Sequence, residues 1–163
     1  SGTKACLGKD ATLDLEHSLD NLNSDYIEIY HITNDEYLPV PGTDDGLYNE
    51  MLKARRDGKI RFIGFTTHNL SLAQEAISSG LYDVIRYPLN IFSLEEELAL
   101  LKQAEQSDVG LIAIKTLCSG KIENIPLAYG FLLQYENLVS VWGIRNIDDL
   151  QKLIYFDRLK EIL

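Results

Sequence analysis

Hydrophobic positions along this chain switch repeatedly between a helical and a strand-like period. Leu15, Leu19 and Leu22 recur at helical spacing and predict a helix from about Ala11 to Leu22. Tyr26–Thr33 is β-branched and aromatic and predicts a strand. A turn-rich stretch from Pro39 to Asp45 follows. Leu47–Arg56 then reads as a helix, with Gly58 where the residue beyond a helix C-terminus belongs. Ile60–Thr66 is the next strand.

The alternation recurs to the end of the chain. Ser71 with Gln74 has the spacing of a capping box, opening a helix that stops at Gly80, and Val84–Leu89 is a strand. Ser93 with Glu96 repeats the box for a helix reaching Ser107, and Gly110 leads into the strand Leu111–Ile114. Ile125–Tyr135 is helical, with Pro126 in its first turn. Val139–Ile144 is the fifth strand, and Asn146 with Asp149 caps a last helix. Strand starts at 26, 60, 84, 111 and 139 are 34, 24, 27 and 28 residues apart, which suits strand–helix–strand crossovers and a parallel sheet. No linker divides the chain, so residues 1–163 are expected to form one domain or a piece of one. Periodicity alone leaves a doubly wound sheet and part of a (β/α)8 barrel both open. The doubly wound reading would place a phosphate loop after the first strand, where this chain has the acidic, glycine-free Thr33-Asn-Asp-Glu36.

Charge and cysteine usage narrow the partners. A net charge of −10 disfavours nucleic acid, because neutralising phosphates requires clustered Lys and Arg. No apolar run approaches the roughly 18 residues of a membrane span, and no signal peptide opens the chain. Cys6 and Cys118 have neither disulfide nor metal-ligand spacing and read as reduced thiols, an expectation of a cytoplasmic protein without a metal site.

Five stretches, in order, resemble the aldo-keto reductases. They are Leu15–Tyr30, ending in Asp25-Tyr-Ile-Glu-Ile-Tyr30; Asp57–Asn69, with Ile63-Gly-Phe-Thr-Thr67; Val84-Ile-Arg-Tyr-Pro-Leu-Asn90; Ile112-Ala-Ile-Lys-Thr-Leu-Cys-Ser-Gly120; and Val141-Trp-Gly-Ile-Arg145 followed by Asp148-Asp-Leu150. The fourth stretch is similar in style to the iron–sulfur-associated members. The resemblance implies the fourth to eighth strands of a (β/α)8 TIM barrel, with the N-terminal strands missing. A barrel closes only when all its strands pair, so a preceding segment or a partner chain is expected to complete it.

The family's chemistry passes hydride from NADP(H) to a carbonyl, with a Tyr hydroxyl as proton donor, a Lys and an Asp tuning it, and a His orienting the substrate. The resemblance sets the Asp and Tyr positions before Ser1. Lys4 is this chain's candidate for the lysine, although Ser1-Gly2 also resembles the pair that often follows that lysine. The family histidine's position holds Thr33. His31 lies two residues earlier on the same strand face, either as a shifted catalytic histidine or as an interior histidine beneath the site. Thr66 and Thr67 match the pair that contacts the nicotinamide carboxamide, and Arg86 stands where a Gln holds the same amide. Leu117, Ser119 and Gly120 are expected to offer main-chain donors to the pyrophosphate, with Lys115 adding charge. Gly143, Arg145 and Asn146 form the expected 2′-phosphate site. Three departures stand beside these matches: Ile114 replaces a Tyr that stacks on the nicotinamide, and Lys152 and Leu153 replace a Glu-Asn pair that contacts adenine. The implied function is NADP(H)-dependent reduction of a small-molecule carbonyl or aldehyde by the longer parent protein. The alternative is a catalytically silent relative that binds nucleotide or a partner.

Overall fold

The computed structural model describes residues 1–160. Six parallel strands pair strictly in chain order: β1 (Gly2–Thr3), β2 (Ile27–Thr33), β3 (Ile60–Thr66), β4 (Val84–Pro88), β5 (Gly110–Ile114) and β6 (Leu138–Ser140). Helices α1 (Gly8–Leu22), α2 (Leu47–Arg56), α3 (Leu70–Ser79), α4 (Glu95–Gln106), α5 (Ile125–Leu133) and α6 (Ile147–Lys160) alternate with them. There is no reversal of strand order, so the sheet is the run of a (β/α)8 barrel and not a doubly wound sheet.

Register divides the side chains of each strand between two faces. Pairing of His31 with Gly64, Gly64 with Val84 and Val84 with Gly110 defines one layer of the interior face. Two residues further along the strands, Thr33, Thr66, Arg86 and Ile112 form the next layer. The opposite face carries Tyr30, Ile63, Phe65, Ile85, Tyr87 and Ala113, which are buried together with Ala73, Ala76, Leu100 and Ala104 of the helices in one apolar core. The interior face is open by comparison: Phe62, Val139 and Val141 are 47, 63 and 48 % exposed.

Several predicted boundaries move, each for a local reason. β1 is an additional strand, too short to carry a periodic signal. The capping residue of α3 is Asn69, whose Oδ1 accepts from the amides of Ser71 (3.0 Å) and Leu72 (3.4 Å), and not Ser71. Ser93 does not cap α4 either: its Oγ accepts from the Asn90 amide at 3.1 Å, while Glu97 accepts from the Leu94 amide at 2.8 Å. β6 ends at Ser140, four residues before the predicted end. Its partner β5 stops as Lys115 takes a left-handed φ of 54°, so no ladder remains beyond that point. The Asn146 cap is present as expected, accepting from the Asp149 amide at 2.8 Å. Cys6 and Cys118 are free.

Gly64 is dictated by its neighbour. A Cβ there would lie 2.3 Å from His31 Nδ1 and 2.4 Å from its Cε1, so the imidazole occupies the space a side chain would take. Gly64→Ala is therefore expected to cost about 1–3 kcal/mol, the range for overpacking an ordered interior. Thermal unfolding checks this, with His31→Ala in the same chain restoring part of the loss. An alanine variant as stable as the parent would refute the packing of the ring over Gly64.

Candidate functional site

The C-terminal ends of the strands gather most of the predicted residues. An open cleft of about 480 Å³ is lined by Arg86, Lys115, Leu117, Ser119, Gly120, Gly143 and Arg145, together with Ile114, Thr116, Val141, Trp142 and Ile144. It contains three cationic side chains and no carboxylate, in a chain of net charge −10. Seven of the ten residues expected at the cofactor therefore meet in one place. Asn146 adjoins them as the cap of α6.

The cleft is shaped by an unusual run of backbone. Lys115, Cys118 and Ser119 have φ of 54°, 46° and 56°, and Gly120 has 92°. Non-glycine residues in this region are strained, and such strain persists only where neighbours hold it. Asn90 Nδ2 donates to the Lys115 carbonyl at 3.2 Å, and the buried Thr116 hydroxyl donates to the Val141 carbonyl at 2.9 Å, tying the β5 and β6 ends together. The amides of Cys118 and Gly120 close turns onto Lys115 and Leu117. Among the described residues the amides of Leu117 and Ser119 have no such partner.

Arg145 is held rather than free. Its Nε donates to Asp149 at 3.0 Å, and one terminal nitrogen lies 3.5 Å from where a Gly120 Cβ would stand. Asp149 is buried, and the Arg145 hydrogen bond holds its carboxyl below the usual carboxylate range. The pair thus fixes the guanidinium over the strained loop, with its outer edge available to an anion.

The other predicted residues sort differently. His31 is buried, and its Nδ1 has no hydrogen-bond partner. Burial first, then the nearby Arg86 charge and the chain's amino terminus, lower its pKa to about 3, against a smaller opposing effect of the Phe65 main chain. It is a neutral floor beneath the site. Thr33 lies one layer above, and the exposed Lys4 follows the end of β1. Thr66 is 5 % exposed with its hydroxyl unpartnered. Thr67 is fully buried and committed elsewhere: its hydroxyl donates to Asp35 at 2.9 Å and accepts from the Asn69 amide at 3.1 Å.

Asp35 was not singled out in the sequence beyond the acidity of its turn. It accepts from the His68 amide at 2.6 Å and from Thr67, and pairs with the His68 ring at 3.2 Å, and those contacts hold its carboxyl below the usual range. It pins the β2 loop to the β3 loop at the rim of the site.

Five of the nine tyrosines are directed elsewhere. Hydroxyls of Tyr48, Tyr82, Tyr87 and Tyr129 bind the Leu81 carbonyl, the Pro39 carbonyl, Glu97 and Asp157. Tyr30 lies on the helix-facing side of β2 by Asp14 and Ser18, and burial pushes its pKa up to about 12.

Comparison with known proteins agrees with this architecture. The model of the aldo/keto reductase family matches residues 8–126. The aldo-keto reductase YhdN of Bacillus subtilis is 28 % identical over 109 residues, covering 66 % of this chain and 31 % of that protein. The chain thus spans about a third of the curated relatives it matches. PA4992 of Pseudomonas aeruginosa, a protein assigned as an aldo-keto reductase, superposes with a TM-score of 0.77 at 17 % identity, covering 93 % of this chain and 61 % of that one. An aldo/keto reductase from Klebsiella pneumoniae in complex with NADP and acetate does so with a TM-score of 0.67 at 17 % identity, covering 90 % and 60 %.

His31 gives the site a pH signature. Its native pKa lies below the ordinary value of 6.5, so between about 6.5 and 3 the unfolded chain binds a proton that the folded chain does not. The stability conferred by the neutral ring is complete above that window and falls as pH drops through it, at on the order of 1 kcal/mol per pH unit. Denaturant unfolding of the parent and His31→Asn across this range is expected to show the steeper loss in the parent. Parallel curves would refute a buried neutral His31.

Proposed function

Because this chain belongs to the aldo/keto reductase family, we propose that it forms the nucleotide-binding side of an NADP(H)-dependent carbonyl or aldehyde reductase. The carrying observation is the cleft at the strand C-termini, lined by three cations and no carboxylate on an otherwise acidic chain. When bound, the cofactor supplies the hydride. Lys115, with the amides of Leu117 and Ser119, would hold its pyrophosphate, and Gly120 leaves room for close approach. Arg145, oriented by Asp149, would take the 2′-phosphate beside Gly143 and the Asn146-capped start of α6, where the helix dipole also favours an anion. Arg86 lines the cleft and Thr66 is its register partner on β3, and the two would face the nicotinamide. The Thr67 hydroxyl is engaged with the loop and supports that position indirectly. Lys4, just beyond β1, is the proposed family lysine. A cytoplasmic setting fits the two free thiols, and among the described residues no helix is long and apolar enough to cross a membrane.

A silent, nucleotide-binding role is the second reading, favoured by specific residues. Thr33 holds the family histidine's position. Lys152 pairs with Asp148 at 2.6 Å and Leu153 is buried, so neither is directed to an adenine in the manner of the Glu-Asn pair.

Two outcomes are expected. Arg145→Ala should weaken NADPH binding relative to NADH by about 1–3 kcal/mol, the range for a hydrogen bond to a charged group, as measured by calorimetric titration. An equal effect on both cofactors would remove Arg145 from the 2′-phosphate site. The 163-residue chain by itself is also expected to show no NADPH oxidation with reactive aldehydes or quinones, since by the resemblance none of its nine tyrosines holds the position of the family's proton donor. Sustained turnover by this chain would overturn that and point to another acid, such as the exposed His68.

A further inference from the structure

We propose that the Arg86 guanidinium makes the cleft selective for the redox state of its cofactor, holding NADPH more tightly than NADP+. The proposal rests on the reading above and deepens it, by giving one residue the choice between the two forms.

The balance of charge in the cleft points to it. Three cations line the cleft, and the proposed cofactor's anions answer two of them, the pyrophosphate at Lys115 and the 2′-phosphate at Arg145. Arg86 is left over. It is half-buried and, among the described residues, makes no salt bridge, although carboxylates outnumber basic side chains in this chain. Its neighbours in the interior layer are Thr33, Thr66 and Ile112, none of them anionic. The uncompensated charge is felt one layer below, where Arg86 follows burial as the next cause that lowers the pKa of His31.

Chemistry separates the two forms at one place. Their phosphates are the same, but the nicotinamide ring is cationic when oxidised and neutral when reduced. A glutamine at position 86, as the resemblance leads one to expect, would be neutral and indifferent to that difference. An arginine still donates to a carboxamide oxygen, and it adds a permanent positive charge. A neutral ring tolerates that charge and a cationic ring is repelled by it. At the effective dielectric near a protein surface, like unit charges in neighbouring positions change an equilibrium by about tenfold or more. No carboxylate lines the cleft to cancel the effect. A field of this sign loads the reduced cofactor and sheds the oxidised one, which is the order that carbonyl reduction needs.

The test is calorimetric titration of the whole chain with NADPH, with NADP+ and with 2′-phospho-ADP-ribose, which keeps the phosphates and lacks the nicotinamide. The unaltered chain is expected to bind NADPH about tenfold or more tighter than NADP+. Arg86→Gln should bring the two affinities together and leave that of 2′-phospho-ADP-ribose unchanged. Arg86→Lys, which keeps the charge, should preserve the preference, and Arg145→Ala should weaken both forms alike. Thermal melts accompany each variant, and the preference of the unaltered chain keeps the test decisive if Arg86→Gln unfolds. Near-equal binding of the two forms by the unaltered chain, or a preference that survives Arg86→Gln, would overturn the proposal and leave the cofactor reading standing. Weaker binding of 2′-phospho-ADP-ribose by Arg86→Gln would overturn it by assigning Arg86 to the phosphates. Failure of the unaltered chain to bind any of the three would overturn the cofactor reading, and this proposal with it.

Discussion

In-order parallel pairing is the constraint from which the rest of this structure follows. Each helix returns the chain to the same end of the sheet, so every strand delivers its last residues to one rim. Register then decides which side chains meet across the strands. It places His31 beside Gly64 and, one layer higher, Thr33 beside Thr66 and Arg86. A slip of one residue in β2 would exchange Tyr30 for His31 on the interior face and take the imidazole out of the space that Gly64 leaves for it.

Electrostatics at the rim work against the charge of the whole molecule. The chain is strongly acidic, yet Arg86, Lys115 and Arg145 converge on one cleft whose lining has no carboxylate. Asp149 is the acidic group nearest to this arrangement, and it holds Arg145 by Nε rather than cancelling its outer edge. The loop from Lys115 to Gly120 adds main-chain donors through conformations that only surrounding contacts sustain, chiefly Asn90 and Thr116. Strain and focused positive charge in one cleft are the properties expected where a phosphate-bearing ligand is held.

Much of this was legible in the residues, and the misses have physical causes. Apolar periodicity, with capping residues and glycines at the helix ends, located the six α-helices and the five longer strands, because most of them bury one face over many residues. Two residues of β1 carry no period, and only their ladder to His31 and Ile32 reveals them. The capping-box spacing of Ser71 and Gln74 puts the start of α3 two residues late, because the side chain that reaches the free amides belongs to Asn69. The cleft residues were found through family resemblance and then gathered by the fold. Thr67 matched the same pattern, but its hydroxyl belongs to a loop contact with Asp35, a pairing 32 residues apart that sequence spacing could not disclose.

The central claim is that the strained loop and the start of α6 hold the phosphates of a nucleotide. Its most direct test is a backbone-amide NMR map of the chain during titration with NADPH. The account predicts that the largest shifts fall on Lys115–Gly120 and Gly143–Asn146, with smaller ones reaching Thr66 and Arg86. Shifts confined to the helical surface around Pro126 and Tyr155, or no saturable shift at all, would contradict it.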